Sequence, residues 1–166
     1  MILIYAFSNQ WGTNISHRTL LELQRILSTN INFRLVRFDF KSFFQKYISR
    51  NQYDLIIGLG DQYGDFSKIR IETQAKNAYD NESIYPFSPI LLDLNLPNLD
   101  NFDSNYFAIS SHMGTSNCNW IAYSIQIYID QKHPNTNQIF LHLPKKANAS
   151  FLASQIKNLL QLNNLI

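Results

Sequence analysis

Apolar residues fall in short runs divided by polar, Asn- and Gly-containing stretches, and successive runs alternate between strand-like and helical spacing. Residues 2–7 form one continuous apolar run, which predicts a buried first strand, and a polar loop over 8–15 follows. Ser16 stands where it can cap a helix in which Leu20, Leu23 and Leu27 recur at helical spacing. Residues 33–38 read as a second strand and 42–48 as a short helix. A third strand is predicted at 54–60, bounded by glycine, while 68–75 alternate with period two as a half-exposed strand does.

Residues 78–104 break this rhythm. Asn, Asp and Pro dominate there around one apolar island at 89–94, which predicts a long excursion carrying one strand; long loops of this kind are often functional. A strand at 106–109 then leads through a Gly-containing turn into a buried helix that begins near Cys118. A strand at 138–143 and a closing helix striped by Leu152, Ile156 and Leu159 complete the chain. The alternation predicts a single α/β domain over residues 1–166. Its expected form is a three-layer sandwich, a mostly parallel or mixed twisted sheet with helices on both faces.

Composition narrows the function classes. The 166 residues carry 45% hydrophobic side chains and a formal charge of only +2. The basic residues are scattered, with Arg34, Arg37, Lys41 and Lys46 among apolar positions and Lys145-Lys146 only a pair, so a solvated face is expected and nucleic acid is not. One cysteine cannot close an internal disulfide. The amino terminus lacks a basic leader region, and no apolar run approaches the roughly 20 residues that span a bilayer. A cytoplasmic protein without membrane contact is expected. Four scattered histidines and one cysteine offer no zinc-type spacing, so neither a metal nor another cofactor is expected.

The candidate chemistry centres on Cys118. It falls in the first turn of its helix, where unpaired N–H groups and the positive end of the helix dipole favour a thiolate. Many lone cysteines are instead small buried hydrophobes. A thiol nucleophile needs a base, and His142, in a strand just before Leu143-Pro144, is the best placed. His17, His112 and His133 are weaker candidates. Glu72, soon after the 58–64 turn, can orient that base, although strand glutamates are usually solvated. All three fall at strand ends, so one sheet edge would collect them.

These segments resemble the pyroglutamyl-peptidase I (pyrrolidone carboxylate peptidase) family of cysteine peptidases. Ser110, Gly114, Thr115, Cys118, Asn119 and Tyr123 stand in the register of that family's nucleophile segment, with Met113 where the family has alanine. Glu72, Ala75 and Asn77 match its acid segment, and Phe140 to Pro144 its histidine segment, in the family's order. Trp11-Gly12 and Asn14-Ile15-Ser16 loosely match its amino-terminal loop.

The resemblance implies a metal-free thiol peptidase that takes a peptide with a blocked amino terminus and removes its pyroglutamyl residue. Cys118 would attack, His142 would carry the proton, Glu72 would hold the imidazole, and the Cys118 N–H would face the oxyanion. Phe7, Trp11, Gln62 and Asn117 would bind the substrate. The likeness is also compatible with a homo-oligomer.

Two departures stand out. The family carries an arginine between acid and cysteine, whereas residues 73–117 here hold one basic residue, Lys76. Asn9-Gln10-Trp11 replaces the Pro-Phe of the amino-terminal pocket loop, and the chain is shorter than typical members, with the difference expected between Asn77 and Tyr106. A re-specialised or non-catalytic binding protein on the same scaffold is therefore the alternative reading. A nucleotide-binding reading of the Gly58–Gly64 turn fails on spacing and on the strand that follows it.

Overall fold

The computed structural model describes residues 1–27, 30–62 and 64–166; Tyr63 of the glycine-bounded turn lies outside the described residues. Strand β1 (Ile2–Phe7) leads into helix α1 (Ile15–Ile26), then β2 (Ile31–Val36), a short helix α2 (Phe40–Phe43) and a π-helical turn over Phe44–Ile48. β3 (Leu55–Gln62) and β4 (Ile69–Glu72) follow, then the small strands β5 (Gln74–Lys76) and β6 (Leu91–Asp93). The chain closes with β7 (Phe107–Ser110), α3 (Asn117–Lys132), β8 (Asn137–Pro144) and α4 (Ala149–Leu162).

Six strands form one sheet in the order β2-β1-β3-β8-β4-β7, and every pairing is parallel except β4 with β8. Period-two alternation splits the inner strands cleanly. Ile57 and Leu59 of β3 and Leu141 and Leu143 of β8 pack with Leu20 and Leu23 of α1 and with Leu152, Ile156 and Leu159 of α4. Tyr5 of β1, Ile56 of β3 and Phe140 of β8 face the other way, onto Trp120, Ile121 and Ile125 of α3 and the Phe40–Ile48 region. This is the three-layer α/β sandwich.

Two local expectations shift. The strand expected at 68–75 breaks after Glu72: β4 stays in the main sheet, while β5 leaves it and pairs antiparallel with β6 from the apolar island. Ser16 does not cap α1. The cap position is Asn14, whose side-chain N–H groups turn to the Phe7 carbonyl and to Asp61, and the Ser16 N–H is instead taken by Asp61 Oδ1 at 2.9 Å. A carboxylate from β3 thus takes the place of a local cap.

The excursion over 78–104 is held by residues from the matched segments. Asn119, fully buried, donates to the Lys76 and Ala78 carbonyls at 2.9 and 2.6 Å and accepts from the Lys76 N–H at 2.8 Å. Asn77 donates to the Tyr85 and Ser88 carbonyls, and the Tyr123 hydroxyl donates to the Pro89 carbonyl at 2.6 Å. Among the described residues no helix is long and apolar enough to cross a membrane.

Candidate active site

The structure joins Glu72 and His142 directly: His142 Nδ1 and Glu72 Oε1 are 2.8 Å apart, with Glu72 fully buried and His142 8% exposed. The route differs from a shared sheet edge. β4 runs against β8, so Glu72 lies opposite Phe140 and reaches diagonally to His142, whose own partner across the pair is Arg70. The acid therefore sits deeper in the sheet than the imidazole it holds. Its second oxygen, Oε2, is buried with no hydrogen-bond partner among the described residues.

Cys118 meets this pair over a glycine. A Cβ added at Gly60 would lie 2.8 Å from Cys118 Sγ, 3.1 Å from His142 Cδ2 and 3.2 Å from a Phe140 ring carbon. The sulfur, the Cδ2–Nε2 edge of the imidazole and the Phe140 ring thus converge on one backbone position. Nδ1 is engaged by Glu72, which leaves Nε2 as the ring nitrogen outside this pair.

The helix start does not make the resting sulfur a thiolate. Burial, and after it the Asp61 carboxylate, push the thiol from its ordinary 9.0 up to about 12; the Ser116 hydroxyl and the Cys118 N–H pull the other way and lose. Cys118 as a residue is half-buried, but its sulfur is turned inward over Gly60, which is why desolvation dominates. Any attack by this sulfur needs a base at the moment of reaction.

A cleft of about 490 Å³ opens beside the thiol, and its wall mixes polar side chains with the rings of Phe7, Phe38 and Tyr79. Phe7 and Asn117 line it with Cys118, as do Asn14, Asp61, Arg37 and Lys145. Trp11 is 75% exposed and is not among the lining residues, because the loop over 9–14 is drawn in by Asn9 and Asn14 while the indole points outward. Gln62 also lies off the cleft wall: it is buried at the end of β3, and neither atom of its amide has a partner among the described residues. Lys76 is exposed on β5, so Arg37 and Lys145 supply the cations of this cleft.

Asp61 was not singled out in the sequence. The only local signal was a carboxylate directly after Gly60 at a strand end, where a solvated acid is the ordinary expectation.

The cleft, the buried acid–imidazole pair and the adjacent thiol lie together at the strand ends of this α/β domain. No protein-family signature matches this sequence, and no curated protein matches it. Its architecture, however, is that of known solved structures. Pyroglutamyl peptidase I from Bacillus amyloliquefaciens superposes with a TM-score of 0.78 at 22% identity, covering 99% of this chain and 92% of that one. The pyrrolidone carboxyl peptidase from Thermococcus litoralis gives 0.80 at 17% identity, over 98% and 92%. A mutant pyrrolidone carboxyl peptidase from the hyperthermophile Pyrococcus furiosus gives 0.81 at 19%, over 99% and 98%. The chain shares the pyroglutamyl peptidase fold, and identities of this size speak for the fold alone.

Proposed function

We propose that this protein is a cysteine peptidase that removes an amino-terminal pyroglutamyl or related acyl residue from a peptide, through Cys118, His142 and Glu72. The observation that carries the reading is the buried 2.8 Å Glu72–His142 bond beside a thiol that packs on the same glycine as the imidazole. A buried carboxylate holding one ring nitrogen fixes the tautomer and leaves the other nitrogen as base.

In the reaction, His142 Nε2 takes the Cys118 proton as the sulfur bonds to the acyl carbon. The carbonyl oxygen becomes an oxyanion facing the N–H groups at the start of α3. His142 then returns the proton to the leaving amine, and the C–N bond breaks to give a thioester. Water, deprotonated by the same nitrogen, hydrolyses the thioester and restores the thiol. Glu72 stabilises the imidazolium in both halves. Asp61, Asn14 and Asn117 in the cleft wall beside the thiol fit a hydrogen-bonding acyl group better than a purely apolar one.

The test is hydrolysis of a pyroglutamyl fluorogenic amide under reducing conditions, with Cys118→Ala beside it. Release that disappears in the variant supports the reading; equal release from both refutes it. The raised thiol favours one other reading, a binding protein on the same scaffold. That reading predicts no release by the folded protein and a Cys118 that reacts with iodoacetamide no faster than a free thiol at the same pH.

A further inference from the structure

Tyr5 is fully buried in β1, yet its hydroxyl has no hydrogen-bond partner among the described residues. It stands beside the nucleophile. Gly58 and Gly60 share one face of β3, two residues apart. A Cβ at Gly58 would lie 2.5 Å from Tyr5 Oη and 2.6 Å from the Phe140 ring, while one at Gly60 would lie 2.8 Å from Cys118 Sγ and 3.2 Å from the opposite side of that ring. The phenol oxygen and the sulfur therefore occupy neighbouring places on one strand face, each made available by a missing side chain and both walled by Phe140. Burial first, and then charge on the Cys118 sulfur, hold the Tyr5 hydroxyl protonated.

A buried O–H that bonds to nothing is costly and is seldom kept without cause. Sulfur as a neutral thiol is a weak acceptor; as an anion it is a strong one. We propose that Tyr5 is a positioning residue whose hydroxyl is an additional donor for the Cys118 sulfur, engaged only once that sulfur has lost its proton. Tyr5 Oη makes no hydrogen bond to Cys118 Sγ while the thiol is neutral, so the sulfur turns toward the hydroxyl about its Cα–Cβ bond as it loses its proton. The proton balance is simple: the thiol proton passes to His142 Nε2, and Tyr5 keeps its own and lends a hydrogen bond. This inference rests on Cys118 being the nucleophile, but not on the acyl group being pyroglutamyl.

The experiment is Tyr5→Phe, which removes one oxygen and keeps the ring that packs on Phe43 and Phe140. The rate of Cys118 alkylation by iodoacetamide is followed from pH 8 to 10 in both proteins, with thermal melting alongside. Tyr5→Phe is expected to melt at the same or a higher temperature, since an unsatisfied hydroxyl is gone. Its alkylation rate is expected to fall about 10- to 100-fold across that range, the effect of losing one hydrogen bond to a charged group. Where a pyroglutamyl amide is turned over, kcat falls similarly with KM unchanged.

An unchanged alkylation profile in the folded variant overturns the proposal. So does a variant that cannot fold, because the hydroxyl would then be structural. Slower alkylation in a protein that hydrolyses no pyroglutamyl amide separates the two readings: the tyrosine stands and the peptidase falls.

Discussion

Gly60→Ala tests the site where all its parts meet. The added methyl would sit 2.8 Å from Cys118 Sγ, 3.1 Å from His142 Cδ2 and 3.2 Å from Phe140. Favourable non-bonded separations are about 3.5–4.0 Å, so the sulfur must retreat by roughly 1 Å and the imidazole by about half that. Neither neighbour yields easily. Cys118 is fixed by the α3 backbone, and His142 is tied to a fully buried carboxylate. Overpacking of this kind costs about 1–3 kcal/mol of stability. A displacement of about 1 Å between reacting groups costs on the order of 10²-fold in rate. Urea unfolding should therefore show a lower midpoint at unchanged m, with kcat/KM on a pyroglutamyl amide down about 10²-fold or more. Iodoacetamide alkylation reports the displaced thiol even without turnover. A variant that keeps the wild-type midpoint, kcat/KM and alkylation rate would show that the sulfur and imidazole do not share this position.

Three further outcomes follow from the same geometry. Glu72→Gln keeps the shape beside His142 Nδ1 but removes the charge that stabilises an imidazolium, so kcat should fall about 10²- to 10⁴-fold; an unchanged kcat would remove Glu72 from the mechanism. Cys118 has a folded thiol pKa of about 12 against an ordinary 9.0. The native state thus holds a proton that the unfolded chain gives up, and this contribution is fully present below pH 9 and lost as pH rises through 12. The alkaline decline in stability should accordingly be shallower in Cys118→Ala than in wild type, and parallel curves would contradict the buried neutral thiol. Asn119→Ala removes three hydrogen bonds that clamp β5 to α3. It should lower unfolding free energy by roughly 2–4 kcal/mol, and a loss below about 0.5 kcal/mol in urea titration would refute the clamp.

Much of the architecture was legible in local pattern. The apolar runs that became β1, β3 and β8, and the Leu152, Ile156 and Leu159 stripe of α4, announce their elements because side-chain period is a property of consecutive residues. The order of Glu72, Cys118 and His142 and their residue types were equally visible, and with them the thiol–imidazole–carboxylate chemistry proposed for this chain. What lies between partners distant in the chain was not. Nothing around residues 69–72 marks β4 as the strand that turns against β8, yet that reversal lets Glu72 reach His142 from below. The break at Thr73, which frees β5 to pair with β6, depends on a strand some twenty residues away.

The sequence by itself determined the periodicities, the layer scheme and the three reactive groups. Tertiary structure decided their state: a thiol held neutral by burial and Asp61, a helix start capped from another strand, an indole turned to solvent, and beside the sulfur a tyrosine hydroxyl without a partner among the described residues. The physical reason is that periodicity is written into neighbouring residues. Protonation and hydrogen-bond satisfaction depend instead on desolvation and on charges that only folding brings together.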